Sequence, residues 1–133
     1  MNAVKTNNAH KSFEELMGRE YEGVRGQAAV ELLVQEKQGR VKDAFYRDDI
    51  GGIDLFWGDD FAGLCHIIKN RKARGEDPKK ILALLTRIVE KGTLVENQKY
   101  RDRINVAYDN KVAVISFELR KTETTAILTA FQK

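Results

Sequence analysis

The sequence has 133 residues, 42% of them hydrophobic and 32% charged, with a formal net charge of +3. That length suits one domain with its own core, and the lone Cys65 excludes an internal disulfide and a multi-cysteine zinc cluster. No apolar run approaches the ~20 residues of a membrane-spanning helix, and the opening MNAVKTNNAHKSFEEL lacks the apolar stretch of a signal peptide, so the expectation is a globular domain acting in a cytoplasm.

Residues 1–11 are polar and read as a lead-in. Phe13, Leu16, Met17 and Tyr21 then follow the N-cap candidate Ser12, with Glu15 three residues after it, which predicts a helix over 12–22. Residues 1–23 are therefore taken as lead-in and helix, and 24–133 as a single domain. A second helix is predicted over 26–38, carried by Ala28, Ala29, Leu32, Leu33 and Val34 and stopped by Gly39. The segment 40–49 contains Phe45 and Tyr46 but shows no period and reads as irregular. Gly51-Gly52 breaks the chain before a short strand over 53–57, ended by Gly58. A helix over 60–73 would put Leu64, Ile67 and Ile68 on one side.

The clearest helix spans 78–91. Asp77 is its N-cap, Pro78 its first residue and Gly92 its stop, and Ile81, Leu82, Leu84, Leu85, Ile88 and Val89 form a broad apolar stripe. After Gly92 the period changes to two, which predicts strands over 93–97, 103–108, 111–120 and 124–131, with Asp109-Asn110 as a tight hairpin turn. Helices first and a meander last predict an α+β fold, with N-terminal helices packed on one face of a C-terminal four-stranded antiparallel sheet.

The chain has no Walker loop, no Gly-rich dinucleotide fingerprint, no zincin helix and no nucleophile elbow, which argues against a nucleotide cofactor. His10 and His66 are its only imidazoles, so a metal site built on several of them is excluded. Asp48, Asp49, Asp54, Asp59 and Asp60 lie close in sequence. Their spacing is not that of a Ca²⁺ loop, strand alternation would scatter them, and capping roles are more ordinary, so no metal is expected.

His66 is the one obvious candidate for proton transfer near neutral pH. On a helix it points away from Leu64, Ile67 and Ile68, with Lys69 and Asn70 on its side and Arg74 within two turns; a solvated His without a role is the alternative. Arg71 falls on the apolar arc, and a buried Arg is costly unless paired, so its guanidinium should meet a phosphate or a carboxylate. From Lys69 to Lys80 six Lys and Arg face two carboxylates. Such a run either attracts a polyanion or is a solvated helix face. Tyr46 and Arg47 beside the acidic segment could stack on a base and touch a phosphate, whereas Trp57 reads as core. Thr129 is either a sheet filler or a hydroxyl aimed at a site, and periodicity leaves both open.

Three stretches carry a resemblance: Gly39-Arg40-Val41-Lys42-Asp43-Ala44-Phe45-Tyr46-Arg47 with Ile50-Gly51-Gly52-Ile53-Asp54-Leu55-Phe56-Trp57-Gly58, then Gly63-Leu64-Cys65-His66-Ile67-Ile68-Lys69-Asn70-Arg71, and finally Ile127-Leu128-Thr129-Ala130-Phe131. Together they resemble the phage-associated branch of the barnase–EndoU–colicin–RelE-like nucleases, toxin-like domains found at the C-terminus of Mu-type head-morphogenesis and polymorphic proteins. The resemblance covers about residues 24–133.

It implies helices followed by a four-stranded antiparallel sheet, and a metal-independent endoribonuclease toxin or effector domain that needs no cofactor. Its substrate would be RNA, tRNA among the candidates, and an immunity protein its protein partner. Carried over residue by residue, His66 is the acid/base, Arg71 the phosphate clamp and Thr129 a hydroxyl partner, with Lys69, Arg74, Tyr46 and Arg47 as substrate-binding residues. Some relatives carry a second His where this chain has Arg71, which leaves Lys69, Tyr46 or a His from outside the domain as the second proton-transfer group. The alternative is a non-catalytic module binding RNA or a protein through the same basic face.

Overall fold

The computed structural model describes residues 18–119 and 121–133. In chain order it has strand β1 (Glu20–Tyr21), helix α1 (Gln27–Glu36), strands β2 (Arg40–Arg47) and β3 (Gly51–Phe56), helices α2 (Leu64–Ala73) and α3 (Pro78–Lys91), and strands β4 (Thr93–Glu96), β5 (Arg103–Tyr108), β6 (Lys111–Leu119) and β7 (Thr122–Gln132). No helix among the described residues is long and apolar enough to cross a membrane.

Helix α3 organises the core. Asp77 accepts a hydrogen bond from the Lys79 N–H at 3.0 Å, Pro78 occupies the first turn, and Gly92 follows the last. Ile81, Leu82, Leu85, Ile88 and Val89 are buried at helical spacing, each contributing roughly 1.5–3 kcal/mol when taken fully out of water. They meet Leu33 of α1, Leu64 and Ile67 of α2, and Val41, Phe45, Ile53, Leu55, Val106, Ile115 and Ile127 from the sheet.

The α+β class and the antiparallel meander β4-β5-β6-β7 agree with the sequence reading, strand ends shifting by two residues at most. The sheet itself is larger than four strands. It has seven, in the order β1-β2-β3-β7-β6-β5-β4, and is mixed, because β1 pairs parallel with β2 and β3 parallel with β7. The helices α2 and α3 carry the chain from β3 over to the far edge, and the meander then returns until β7 lies beside β3. The last strand is therefore interior, between β3 and β6. The predicted helix over 12–22 is also corrected where it can be seen: Gly18–Glu22 is not helical, and Glu20–Tyr21 pairs with Arg40 and Val41. Its residues 12–17, with Ser12 and Glu15, and the lead-in 1–11 with His10, lie outside the described residues.

The segment 40–49 is not irregular either; most of it is β2. Val41 pairs with Leu55 but Phe45 with Ile53, a bulge centred on Asp43 at φ +51°. The bulge turns both Ala44 and Phe45 into the core, which destroys the two-residue period. Gly52 leaves room for the Asp43 carboxylate, since a Cβ there would lie 2.1 Å from Asp43 Oδ1 and the side chain would have to shift. The bulged Asp43 N–H donates to Asp54 Oδ1 at 2.8 Å, and Arg40 Nη1 stands 3.5 Å from Asp54 Oδ2.

Burial lifts the Asp54 carboxyl above its ordinary value of 3.8, against the Asp43 N–H and the Arg40 charge, which lower it. Folded Asp54 thus takes up its proton before the unfolded chain does. Its contribution to stability is present below 3.8 and is lost as pH rises through the folded value. Asp49, hydrogen-bonded to Arg47, is shifted the opposite way and loses its contribution on acidification. Asp54→Asn removes the gain that the wild type makes on protonating this carboxyl, so the variant should lose stability relative to the wild type as pH is lowered from neutrality to 3.8. Urea midpoints across that range check this; parallel curves would refute it.

Candidate active site

The connection from β3 to α2 is folded around two glycines. Gly58 (φ +76°) and Gly63 (φ +91°) touch each other, and a Cβ on Gly58 would lie 1.9 Å from the Ala62 carbonyl oxygen. The Asp59 N–H donates to that same carbonyl at 3.0 Å, Cys65 N–H to Trp57 O at 2.8 Å, and Gly63 N–H to Leu128 O at 2.9 Å. This tight loop delays the helix to Leu64 rather than the expected 60, and it delivers the Asp60 carbonyl to His66.

His66 Nδ1 lies 2.8 Å from Asp60 O. A carbonyl only accepts, so Nδ1 carries the proton and Nε2 keeps the lone pair. The amide nitrogen of Asn70, one turn on, sits 3.0 Å from Nε2 and 3.1 Å from Nδ1. Lys69 forms a close ion pair with the Asp60 carboxylate, which raises the lysine above its ordinary value of 10.5, the nearby Cys65 adding to the effect. Lys69 thus braces the loop that holds His66 and lines neither of the cavities below. Gly58→Ala should cost roughly 1–3 kcal/mol, from the left-handed backbone and the blocked Cβ. It should also loosen the Asp60 carbonyl from Nδ1. Urea unfolding and the imidazole ¹⁵N shifts read the two effects; an unchanged tautomer in a destabilised protein would show that the loop does not set it.

Two open cavities meet at His66 and Thr129, which line both. The first, about 540 Å³, runs between α2 and the end of β7 and is lined by Asn70, Arg71, Arg74, Phe131, Gln132 and Lys133. The second, about 510 Å³, lies on the sheet face opposite the helices, with Phe61, Ala62, Asp102, Arg103, Ser116, Glu118, Leu119, Lys121 and Leu128 in its walls. Thr129 reaches this face because of a second bulge. Val114 pairs with Thr129 and Ile115 with Ile127, so Leu128 is the extra residue. Ile127 and Ala130 turn to the helices, while Thr129 joins Val114 on the other side.

Arg71 is 5% exposed on the arc of Leu64 and Ile67, as its spacing predicted. Its Nη1 is 3.6 Å from Glu76 Oε1, and its buried Nε has no hydrogen-bond partner. Arg103 was not singled out from the sequence. It pairs with Ser116 across β5 and β6, its buried Nε lies 3.8 Å from Asp102, and its guanidinium stacks 3.9 Å over Tyr100. The signal was available: the Asp109-Asn110 turn sets a register in which Arg103 and Ser116 share the polar face. The fold thus brings together His66, Arg71, Thr129 and Arg74.

It places Tyr46 and Arg47 elsewhere. Arg47 Nη1 donates to Val89 O at 2.7 Å and Gly92 O at 2.8 Å, capping the end of α3, and its other nitrogens bond Asp49. Tyr46 is exposed, with its N–H on Glu90. The acidic residues are dispersed as well. Asp49 serves Arg47, Asp54 Arg40, and Asp60 Lys69, while Asp59 accepts from the Phe61 N–H. Among the described residues no three His, Cys, Asp or Glu converge as metal ligands.

A family model described as phage-Barnase-EndoU-ColicinE5/D-RelE like nuclease1 matches residues 44–133, which include both cavity-forming bulged strands from β6 to β7, the Gly58–Gly63 loop and α2. The chain belongs to this nuclease family. A comparison with curated proteins gave no match.

Proposed function

We propose that the domain is a metal-independent endoribonuclease of the toxin or effector type, acting on RNA in a cytoplasm. The observation that carries this reading is a histidine with a defined Nε2 lone pair at the junction of two cavities, one with the buried Arg71 in its wall and the other with the half-buried Arg103. In the reaction the ribose 2′-oxygen attacks the adjacent phosphorus and the bond to the 5′-oxygen breaks. The products are a 2′,3′-cyclic phosphate and a 5′-hydroxyl.

Two protons must move, one off the 2′-oxygen and one onto the departing 5′-oxygen. His66 exchanges one of them at Nε2. Lys69 is committed to Asp60, so the other falls to a side chain that lines the cleft beside His66: Asp102, Glu118 or Lys121. Arg71 supplies positive charge to the pentavalent phosphate from a site shielded from water, where it acts most strongly. Thr129 offers its hydroxyl to the same phosphate, and Arg74 extends the cationic wall toward the substrate. An immunity protein would be a natural partner for such a domain.

The test is a gel assay of total RNA and tRNA in EDTA. Discrete cleavage that ends in 2′,3′-cyclic phosphate supports the reading. Intact RNA at micromolar protein, with RNA still bound, would favour the non-catalytic binding module instead.

A further inference from the structure

We propose that the cleft is built for a strand, and that the lobe beyond Arg71 holds the phosphate next to the one that reacts. The proposal rests on the ribonuclease reading for which phosphate reacts, but its observations are separate. His66 and Thr129 form a saddle between two lobes of different character. On the α2 side the charged side chains are Arg71, Arg74 and Lys133, with no carboxylate side chain among the described lining residues. On the sheet side Arg103 and Lys121 are balanced by Asp102 and Glu118, beside the half-exposed ring of Phe61.

One lobe therefore selects anions, and the other offers an aromatic surface and mixed hydrogen-bonding groups, which suits a nucleobase. A mononucleotide would use only part of this. Arg71 cannot serve two phosphates, because its guanidinium is buried, held on one side by Glu76 and open to the lobe floor near the saddle. Arg74, one turn further at the helix end, and Lys133, just past β7, are both exposed and stand over the rest of the lobe. A strand with its reacting phosphate on the saddle then places the next phosphate between Arg74 and Lys133, and a base against Phe61 in the opposite lobe.

Binding of 2′-O-methyl oligonucleotides tests this without any need for cleavage. Going from a dinucleotide with one internal phosphate to a trinucleotide with two should raise affinity about tenfold at low salt, and steepen the log–log salt slope by about 0.7. Arg74→Gln with Lys133→Gln should remove that gain and the added slope, and thermal unfolding would confirm that the exposed changes leave the fold intact. Equal affinity for the two lengths, or equal weakening of both by the double variant, overturns the proposal, as does an absence of binding. If the length effect appears but no RNA is cut, the ribonuclease reading fails and the strand site stands. If RNA is cut but length has no effect, the strand site fails alone.

Discussion

His66→Ala is expected to lower EDTA-resistant RNA cleavage by about 10²- to 10⁴-fold, the range for loss of a positioned proton-transfer group. The side chain is only half-buried, and its hydrogen-bond contacts with protein are the Asp60 carbonyl, 2.8 Å from Nδ1, and the Asn70 amide nitrogen, 3.0 Å from Nε2. Removing it should therefore cost stability no more than about 1–3 kcal/mol, and a urea midpoint that leaves the variant folded under assay conditions separates the loss of cleavage from unfolding. Affinity for a 2′-O-methyl strand should stay within a few-fold of the wild type. Cleavage that survives in His66→Ala, or that EDTA abolishes in the wild type, would sink the assignment.

The second large effect is at Arg71. Its guanidinium is almost entirely buried, its Nε is without a hydrogen-bond partner, and its nearest carboxylate, Glu76, is 3.6 Å away and itself 41% exposed. A buried charge so thinly compensated works against stability, since exchanging such a group for an apolar one of similar size is often neutral or stabilising. Arg71→Met should then leave the unfolding midpoint unchanged or raise it, while cleavage falls by about 10²- to 10³-fold, as for loss of one transition-state charge contact. Glu76, left without its partner, can turn to water. Parallel loss of stability and activity would make Arg71 a structural residue, and retained activity would move the phosphate contact to Arg103.

Much of this arrangement was legible in the residues. Asp77, Pro78 and Gly92 delimit α3 because the signals are local: a side-chain cap, a fixed φ and a stop. The meander was legible because a core on one face imposes a two-residue period. Arg71 could be placed on the buried arc, and His66 off it, because both lie on one short helix whose geometry is repetitive.

Other features depended on contacts between distant segments. The sequence of β2 lacks a period because a bulge at Asp43 sits opposite Gly52 and is held by Asp54. The parallel pairing of β3 with β7 joins residues more than seventy positions apart, Asp54 with Ala126, and enlarges the sheet beyond the meander. Arg47 reads as a free cation in sequence, yet it spends its donors on the end of α3, a segment forty residues away.

By itself, then, the sequence determined the class of fold, the helices α1 to α3 and the C-terminal meander that form most of the core, and the choice of His66 as the candidate for proton transfer, all from local periodicity and chemistry. Tertiary structure alone decided what faces His66. Alternation along β7 would put Thr129 on the same face as Ile127, and the extra residue at Leu128 puts it on the other, beside His66 and across from Arg103. A strand's period assigns faces only while its register is unbroken, and register is set by hydrogen bonds to a neighbouring strand rather than by the strand's own residues.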